Sequence, residues 1–586
     1  MKSVVVAASL AALVACGHPA HHERDTPRPP AKPRQGSVTL TIIGTNDLHG
    51  QLQRLPLLAG FVDNVRAARA ADGGGVLLLD GGDMFQGTLE SNLAEGADIV
   101  KAYNQMGYAA SAVGNHEFDY GPEGPAVTAK SVEDDPRGAL KARAREAKFP
   151  FLVTNIADEK SGARIKWENM PASTLIDVAG VKVGIAGAST ESTPFTTMPA
   201  NFVGLKMMKP GEALAAEAKA LRQQGAKVVI AVMHIGSKCK DLEHPNDLST
   251  CERDEELFHV ISDLPKGAVD VIVAGHTHAG VAHRISDIAV IESFSSGRAF
   301  GRVDLRINPE GTVIASQIHK PHDVCPNAKP TEEGPPLPVS ECKPGDYEGK
   351  PVVPDAAVQT IVDEALARTG ERRNEKLGVT LTGPITKAYG SESAEGNWFC
   401  DLMLAARSDA QVSLTNGGGL RADVPAGDLT YGRLFEAMPF DNRFAVVDIK
   451  GKHIRKLVST NLQRGGGILS WGGVTAKARC KGGKLDIVID VAGKPLVDDK
   501  DYKLVTSDFL ASGGDGLLGR LKLPEGSIKL TDDIIRDAIA DILRKKKGSI
   551  DPKLLFGPGH VRMDYEGQRP VLCQKAGAPA PKEPED

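Results

Sequence analysis

Residues 114–121 read GNHEFDYG and set an amide, an imidazole and two carboxylates between glycines, directly after the small apolar run 109–113. Asn115, His116, Glu117 and Asp119 are all side chains that bind cations or carry protons. Four other segments have the same outline, an apolar run closed by a sharp polar turn. VTLTIIGTNDLHG ends in Asp47 and His49, and GVLLLDGGDMFQG carries Asp80 and Asp83. KVVIAVMHIG ends in His234, and VDVIVAGHTHAG in His276 and His278. Carboxylate, amide and imidazole ligands without thiolates suit hard or borderline divalent metals rather than clusters or copper(I). Singly, each turn is ordinary: DLHG with a capping Asp, or a histidine closing a buried strand. Five in succession point to one site.

The elements that must position these groups are strands of an α/β fold. In such sheets, sites form beyond the carboxyl ends of the strands, so turns separated by over 200 residues can meet. Glycines let the backbone turn tightly beside the ligands. From residue 37 to about 318, β-rich apolar runs alternate with Ala-rich helical stretches such as 210–224. A Pro-, Gly- and Glu-rich stretch at 328–351 reads as a boundary. Residues 356–368 follow as an amphipathic helix with Val358, Ile361, Val362 and Ala365 on one face. A second strand–helix mixture, denser in glycine, runs to about 563. The expected division is 37–330, a linker and connecting helix at 331–376, a second domain at 377–565 and a disordered tail at 566–586.

At 586 residues the chain exceeds a single core. With 41% hydrophobic and 25% charged residues and a net charge of −5 without blocks, its composition is that of a globular protein and gives no sign of nucleic-acid duplex binding. Lys2 and the apolar stretch VVVAASLAALVA, ending at Cys16, read as a signal peptide over 1–15. The ending LVAC resembles a bacterial lipobox, which implies a lipid on Cys16 and a cell-envelope location. Residues 16–36 form a Pro-, His- and Arg-rich disordered tether. Export implies an oxidising compartment. Cys239/Cys251 and Cys325/Cys342 are spaced as local loop staples, and Cys400, Cys480 and Cys573 leave an odd count.

The series D-x-H, GGD, GNHE-x-D, H and GH-x-H resembles the calcineurin-like metallophosphoesterase family. Over residues 37–563 the chain is similar to its secreted 5′-nucleotidase/UDP-sugar hydrolase/2′,3′-cyclic phosphodiesterase branch. The resemblance implies an N-terminal four-layer α/β/β/α metallophosphoesterase sandwich, joined by a helix to a C-terminal α/β 5′-nucleotidase substrate-binding domain. It implies two divalent metals (Zn, Mn, Co or Fe): Asp47, His49 and His278 hold one, Asn115, His234 and His276 the other, and Asp83 bridges them. Two such cations clamp the attacking and leaving oxygens of an in-line phosphoryl displacement and generate hydroxide near neutral pH. His116 acts on the leaving oxygen, with Asp119 fixing its tautomer. Asp80 is left as a group supporting the ligands from behind or a structural one, and Glu117 has no assigned role.

In the second domain NGGGLR offers Asn416 and Arg421, MPFDN offers Phe440, and SDFLASGGDG offers Phe509 and Asp515. By resemblance the two aromatics sandwich a nucleobase while Asn416, Arg421 and Asp515 contact sugar and phosphate. Stacking suits this because every base has a π-face. The implied activity is phosphate release from extracellular nucleotides by a monomer, 5′-nucleotidase first, with UDP-sugar or 2′,3′-cyclic-nucleotide hydrolysis as alternatives. One departure concerns YGSESAEGNWFCDLM. Tyr389 stands where the family has arginine and Ala394–Glu395 replace Asn–Leu, while Glu392, Gly396 and Asn397 match. The lost cation weakens a phosphate grip unless Lys387 supplies it.

Overall fold

The computed structural model describes residues 36–327 and 339–573. The signal sequence, Cys16 and the tether before residue 36 lie outside the described residues, as does the tail from 574. In the first sheet, strands Val38–Thr45, Gly75–Asp80, Ala110–Ala112 and Phe151–Leu152 run parallel, and Ala299–Ile307 and Val313–Asp323 complete it antiparallel. The second sheet has a parallel centre of Val181–Ser189, Val228–His234, Val271–Val273 and Ile288–Ser293, with antiparallel edges Ser173–Val178 and Gly280–Ile285.

The alternation of side chains builds the layers. Leu40, Ile42, Leu77 and Leu79 face Val183, Ile185, Ile230 and Val232 between the sheets. Their neighbours Ile43 and Leu78 point outward into a core with helices Leu55–Asp72 and Ala97–Met106. Val229, Ala231 and Met233 do the same against Pro210–Gln223 and Glu256–Asp263. Strands buried on both faces read as near-continuous apolar runs, and the result is an α/β/β/α sandwich.

Helix Ala356–Asn374 is capped by Asp355, whose side chain accepts from the Val358 amide. Val358, Val362 and Ala365 are buried in the core of the sandwich, so the helix is docked on it. It runs past the expected end at Arg368, because its last turn is used. Arg373 donates to Glu90 of the sandwich at 2.5 Å and to Glu436 beyond it at 2.6 Å. Leu89 packs into the hydrophobic cluster of the following region, and Asn92 donates to the Pro439 carbonyl at 2.9 Å.

That region holds a five-stranded mixed sheet centred on Asp501–Ser507, flanked by Val412–Asn416 and Arg443–Lys450. Helices Ala394–Ala406, Tyr431–Ala437 and Ile535–Lys546 pack on one side and Gly451–Leu462 on the other. Disulfides join Cys239–Cys251 and Cys325–Cys342, the expected staples, and a third joins Cys480–Cys573. Cys400 is a buried free thiol, pushed up to about 12 by burial.

Arg373→Ala would strand the buried Glu90 carboxylate. Losing one partner of a buried pair costs about 3–5 kcal/mol. The expected outcome is a lower urea midpoint, with the single unfolding transition separating into two. A single transition at the wild-type midpoint would show that Arg373 does not couple the two bodies.

Candidate metal centre and interdomain cleft

The five turns meet at one edge of the sandwich, beyond the carboxyl ends of the parallel strands of both sheets. Asp47, His49, Asp83, His276 and His278 all have positive φ, between 50° and 84°. Left-handed backbone is uncommon outside glycine and clusters at functional sites. Two ligand groups result, Asp47–His49–His278 and Asp83–His234–His276, each with its ligand atoms within 4.8 Å of one another. Asn115 joins the second group, its Oδ1 lying 3.0 Å from His234 Nε2. Asp83 Oδ2 faces both groups, 3.0 Å from His234 Nε2 and 3.9 Å from His49 Nε2.

Whether cations fit here is decided by counting acceptors. His49 and His234 each donate Nδ1–H to a carbonyl, of Gln86 and Gly81 respectively, at 2.9 Å. Nε2 of each ring is thereby turned into the site, as a hydrogen bond on the far ring nitrogen does for metal-binding histidines. His49 Nε2 and His278 Nε2 are 2.9 Å apart, and the buried Asp47 Oδ1, 3.3 Å from His278, has no hydrogen-bond partner. Around His234 Nε2 stand Asp83 Oδ2, Asn115 Oδ1 and His276 Nδ1 at 3.0, 3.0 and 3.2 Å. One proton at Nε2 could satisfy only one of them. This excess of buried acceptors fits a divalent cation in each group. His276 is pulled down to about 3 by burial and by His234, and His49 lies well below its ordinary value through burial and Arg421. A lowered pKa favours the neutral imidazole, the form that ligates, whereas His234, against the pull of burial, is pushed up to about 10 by the Asp83 charge.

His116 is held differently. Its Nδ1 contacts Asp119 Oδ2 at 2.5 Å, and Asp119 Oδ1 accepts from Thr197 Oγ1 at 2.9 Å. Nε2 then faces the centre, 4.0 Å from Asp83 Oδ2. Burial lowers the His116 pKa, but Asp119 and Asp83 outweigh it and leave it above the ordinary value.

Two carboxylates outside the ligand groups, Glu117 and Glu292, hold the turns together. Glu117 accepts from the amides of Asp83, Met84 and Gly114 at 2.9, 2.8 and 2.7 Å, strapping the second turn to the third. Burial and the Asp83 charge push it up to about 8, against the pull of those amides. The available signal was its spacing: a carboxylate three residues after Gly114 can fold back onto that amide, as in a capping box. Glu292 accepts from Ser237 N at 3.1 Å and from Thr277 N and Oγ1 at 3.2 and 2.7 Å, strapping the fourth turn to the fifth. It sits in the plain strand Ile288–Ser293, where the sequence gives no sign of it. Asp80 accepts from Gly82 N at 2.8 Å and from Thr45 and Tyr103 hydroxyls, fixing the GGD turn from behind.

The second body supplies the facing wall of a cleft of about 2580 Å³. His49, Asp83, Asn115, His116, Asp119, His276 and His278 line it from one side, above the fully buried Asp47 and His234. Asn416, Arg421, Phe440, Phe509 and Asp515 line it from the other. Arg421 reaches across to place Nη2 3.0 Å from His49 Nε2, and the Phe440 ring lies 5.5 Å from that of His116. Asn416 Nδ2 donates to Asp515 Oδ2 at 2.8 Å. Tyr389 is 60% exposed in the cleft, near the exposed Lys387.

Glu117→Gln would set an amide NH₂ against main-chain N–H groups. By analogy with other outer-shell changes, metal affinity should fall roughly 10–100-fold, measured by chelator competition on folded protein. Wild-type affinity would leave the strap without a role in the centre.

A calcineurin-like phosphoesterase family profile matches residues 40–280, and a 5′-nucleotidase C-terminal domain profile matches residues 375–520. The chain is 29% identical over 527 residues to the "Trifunctional nucleotide phosphoesterase protein YfkN" of Bacillus subtilis; the match takes in 83% of this chain but only 33% of that longer protein. It is 26% identical to a "5′-nucleotidase" of Vibrio cholerae, covering 88% of this chain and 91% of the relative. The fold is similar to the crystal structure of a 5′-nucleotidase precursor from Thermus thermophilus, with a TM-score of 0.68 and 22% identity over 90% of this chain and 100% of that one. The chain is thus a metal-dependent phosphoester hydrolase of the family that joins a calcineurin-like phosphoesterase domain to a 5′-nucleotidase C-terminal domain.

Proposed function

We propose that this protein is an exported, two-metal phosphohydrolase that releases phosphate from nucleotides, a 5′-nucleotidase in type. The observation that carries the reading is the shared cleft: two ligand groups joined at Asp83 face Arg421, Phe440, Phe509 and the Asn416–Asp515 pair. The names of the relatives point the same way, to nucleotide phosphoesters. Asp47, His49 and His278 would hold one cation, Asn115, His234 and His276 the other, with Asp83 between them. Cations so held would supply charge stabilisation to the attacking and leaving oxygens of the displaced phosphoryl group.

The chain's own groups do the rest. Arg421 offers a planar donor fork to a phosphate entering the centre. Phe440 and Phe509 offer ring faces to a base. Asp119 holds the Nδ1 proton of His116, so Nε2 can carry a proton to a leaving oxygen at the metal edge. Three disulfides support export to an oxidising compartment, and the lipobox-like ending LVAC supports a lipid on Cys16 and a place in the cell envelope. The second reading is UDP-sugar or 2′,3′-cyclic-nucleotide hydrolysis, which would use the same ligand groups with a different substrate pose.

His116→Asn is expected to lower kcat by about 10²–10⁴-fold, the range of a lost general acid, with metal content unchanged. Full activity in that variant would remove His116 from the mechanism. Phosphate release from AMP, UDP-glucose and 2′,3′-cyclic AMP with Mn²⁺, Zn²⁺ or Co²⁺ supplied separates the substrate readings. Inertness toward all three would sink the hydrolase assignment. Labelled palmitate should enter the wild-type protein in a bacterial host and be absent from Cys16→Ser; equal labelling would place the lipid elsewhere.

A further inference from the structure

Arg54 is a cation of the cleft that the proposed chemistry does not use. It closes the short turn Leu52–Arg54, five residues after His49, and lines the same cleft as His49 and His278. Among the described residues it forms no ion pair, and its one hydrogen bond runs from Nη1 to the Ser296 carbonyl at 3.3 Å. Its stem lies along Gly297, where an added Cβ would meet Arg54 Cβ at 3.5 Å and Cδ at 3.8 Å. Arg298 follows directly. Its guanidinium stacks on Phe294 at 4.3 Å and makes a loose, half-exposed pair with Asp323 at 3.4 Å. Burial and the nearness of Arg298 hold the Arg54 pKa below its usual range. Of the two guanidiniums, only that of Arg298 is paired with a carboxylate.

The loop that presents Arg298 is strained. Phe294 and Ser296 have φ of 61° and 59°. The Ser296 amide donates to the Asp47 carbonyl at 2.7 Å, which ties the loop to the first ligand turn. Ser295 and Ser296 also line the cleft. A half-buried guanidinium with a single carbonyl partner, beside a second guanidinium and two hydroxyls, is a receptor for an anion.

We propose that Arg54 and Arg298, with the hydroxyls of Ser295 and Ser296, form an anion subsite on the metal-domain wall that binds the second phosphate of substrates carrying two phosphates in series. The proposal rests on the nucleotide phosphohydrolase reading and deepens it: the same centre would favour nucleoside diphosphates and diphospho-sugars over monophosphates.

UDP and UMP share base and sugar and differ by one phosphate, so the test is their kcat/KM ratio. In Arg54→Met, which keeps the apolar stem, the UDP:UMP ratio should fall about tenfold, the loss of one charge-assisted hydrogen bond. The change should lie mainly in KM, and Arg54→Lys should restore most of it. Asp323→Asn, which frees Arg298, should raise the ratio. A ratio unmoved in Arg54→Met and Asp323→Asn, with the wild type active, overturns the subsite and leaves the hydrolase reading standing. If the wild type cleaves neither compound, the 5′-nucleotidase reading fails instead. Calorimetry of UDP and UMP binding to wild type and Arg54→Met then decides the subsite, equal UDP affinities overturning it.

Discussion

Everything at the centre depends on forcing acceptor atoms together where water cannot separate them. Asp83 Oδ2, Asn115 Oδ1 and three imidazole nitrogens sit within a few ångströms in a buried volume, an arrangement that is unfavourable unless positive charge compensates it. Side chains alone would relax away from it. They are kept in place because their backbones are fixed, five of the seven ligand-type residues in left-handed conformations that no isolated turn would choose. The straps explain how that strain is held. Glu117 and Glu292 spend their carboxylate oxygens on main-chain amides of neighbouring turns, and Asp47 Oδ2 does the same for the His276 amide. Each ligand turn is thus secured by the one beside it rather than by its own sequence.

The double sheet is what allows this interlocking. One sheet brings the turns after Val38–Thr45, Gly75–Asp80 and Ala110–Ala112, and the other those after Val228–His234 and Val271–Val273. Where the turns press together there is no room for side chains. A Cβ on Gly114 would stand 2.1 Å from Asp83 Oδ1, and one on Gly81 would stand 2.6 Å from the Ala274 carbonyl oxygen. The glycines of GGD and GNHE are therefore demanded by close approach as much as by turning.

Much of this was legible in the sequence, for a physical reason. Strands buried on both faces write themselves as apolar runs, and polar turns at their carboxyl ends follow at once, so the α/β class and the five turns could be read from the residues, while the sandwich and the seven ligand-type residues among those turns came through resemblance. Phe440, Phe509, Asn416, Arg421 and Asp515 could be named only through resemblance, because a glycine loop and two phenylalanines have no periodicity that marks a cleft. Glu292 and Arg54 were invisible as participants, and Glu117 showed only its spacing from Gly114. Their work depends on which main-chain amides or charges lie across a fold boundary, and that depends on tertiary contact. The connecting helix shows the same limit. Its apolar face was readable to Ala365, but its true end is set by Arg373 finding Glu90 and Glu436.

The two walls of the cleft are therefore under different constraints. On the metal side, nearly every contributing group is buried, strapped and strained, and a change at one turn disturbs its neighbours. On the facing wall, Tyr389 is mostly exposed and Lys387 is on the surface, and neither supports the core beneath. Exposed residues away from caps, cores and ion pairs typically alter stability by less than about 0.5 kcal/mol when replaced. A tyrosine can accordingly stand where an arginine would grip phosphate without disturbing the fold or the ligand groups. The ligand turns are tied to the architecture, while Tyr389 and Lys387 are side chains that the architecture does not need.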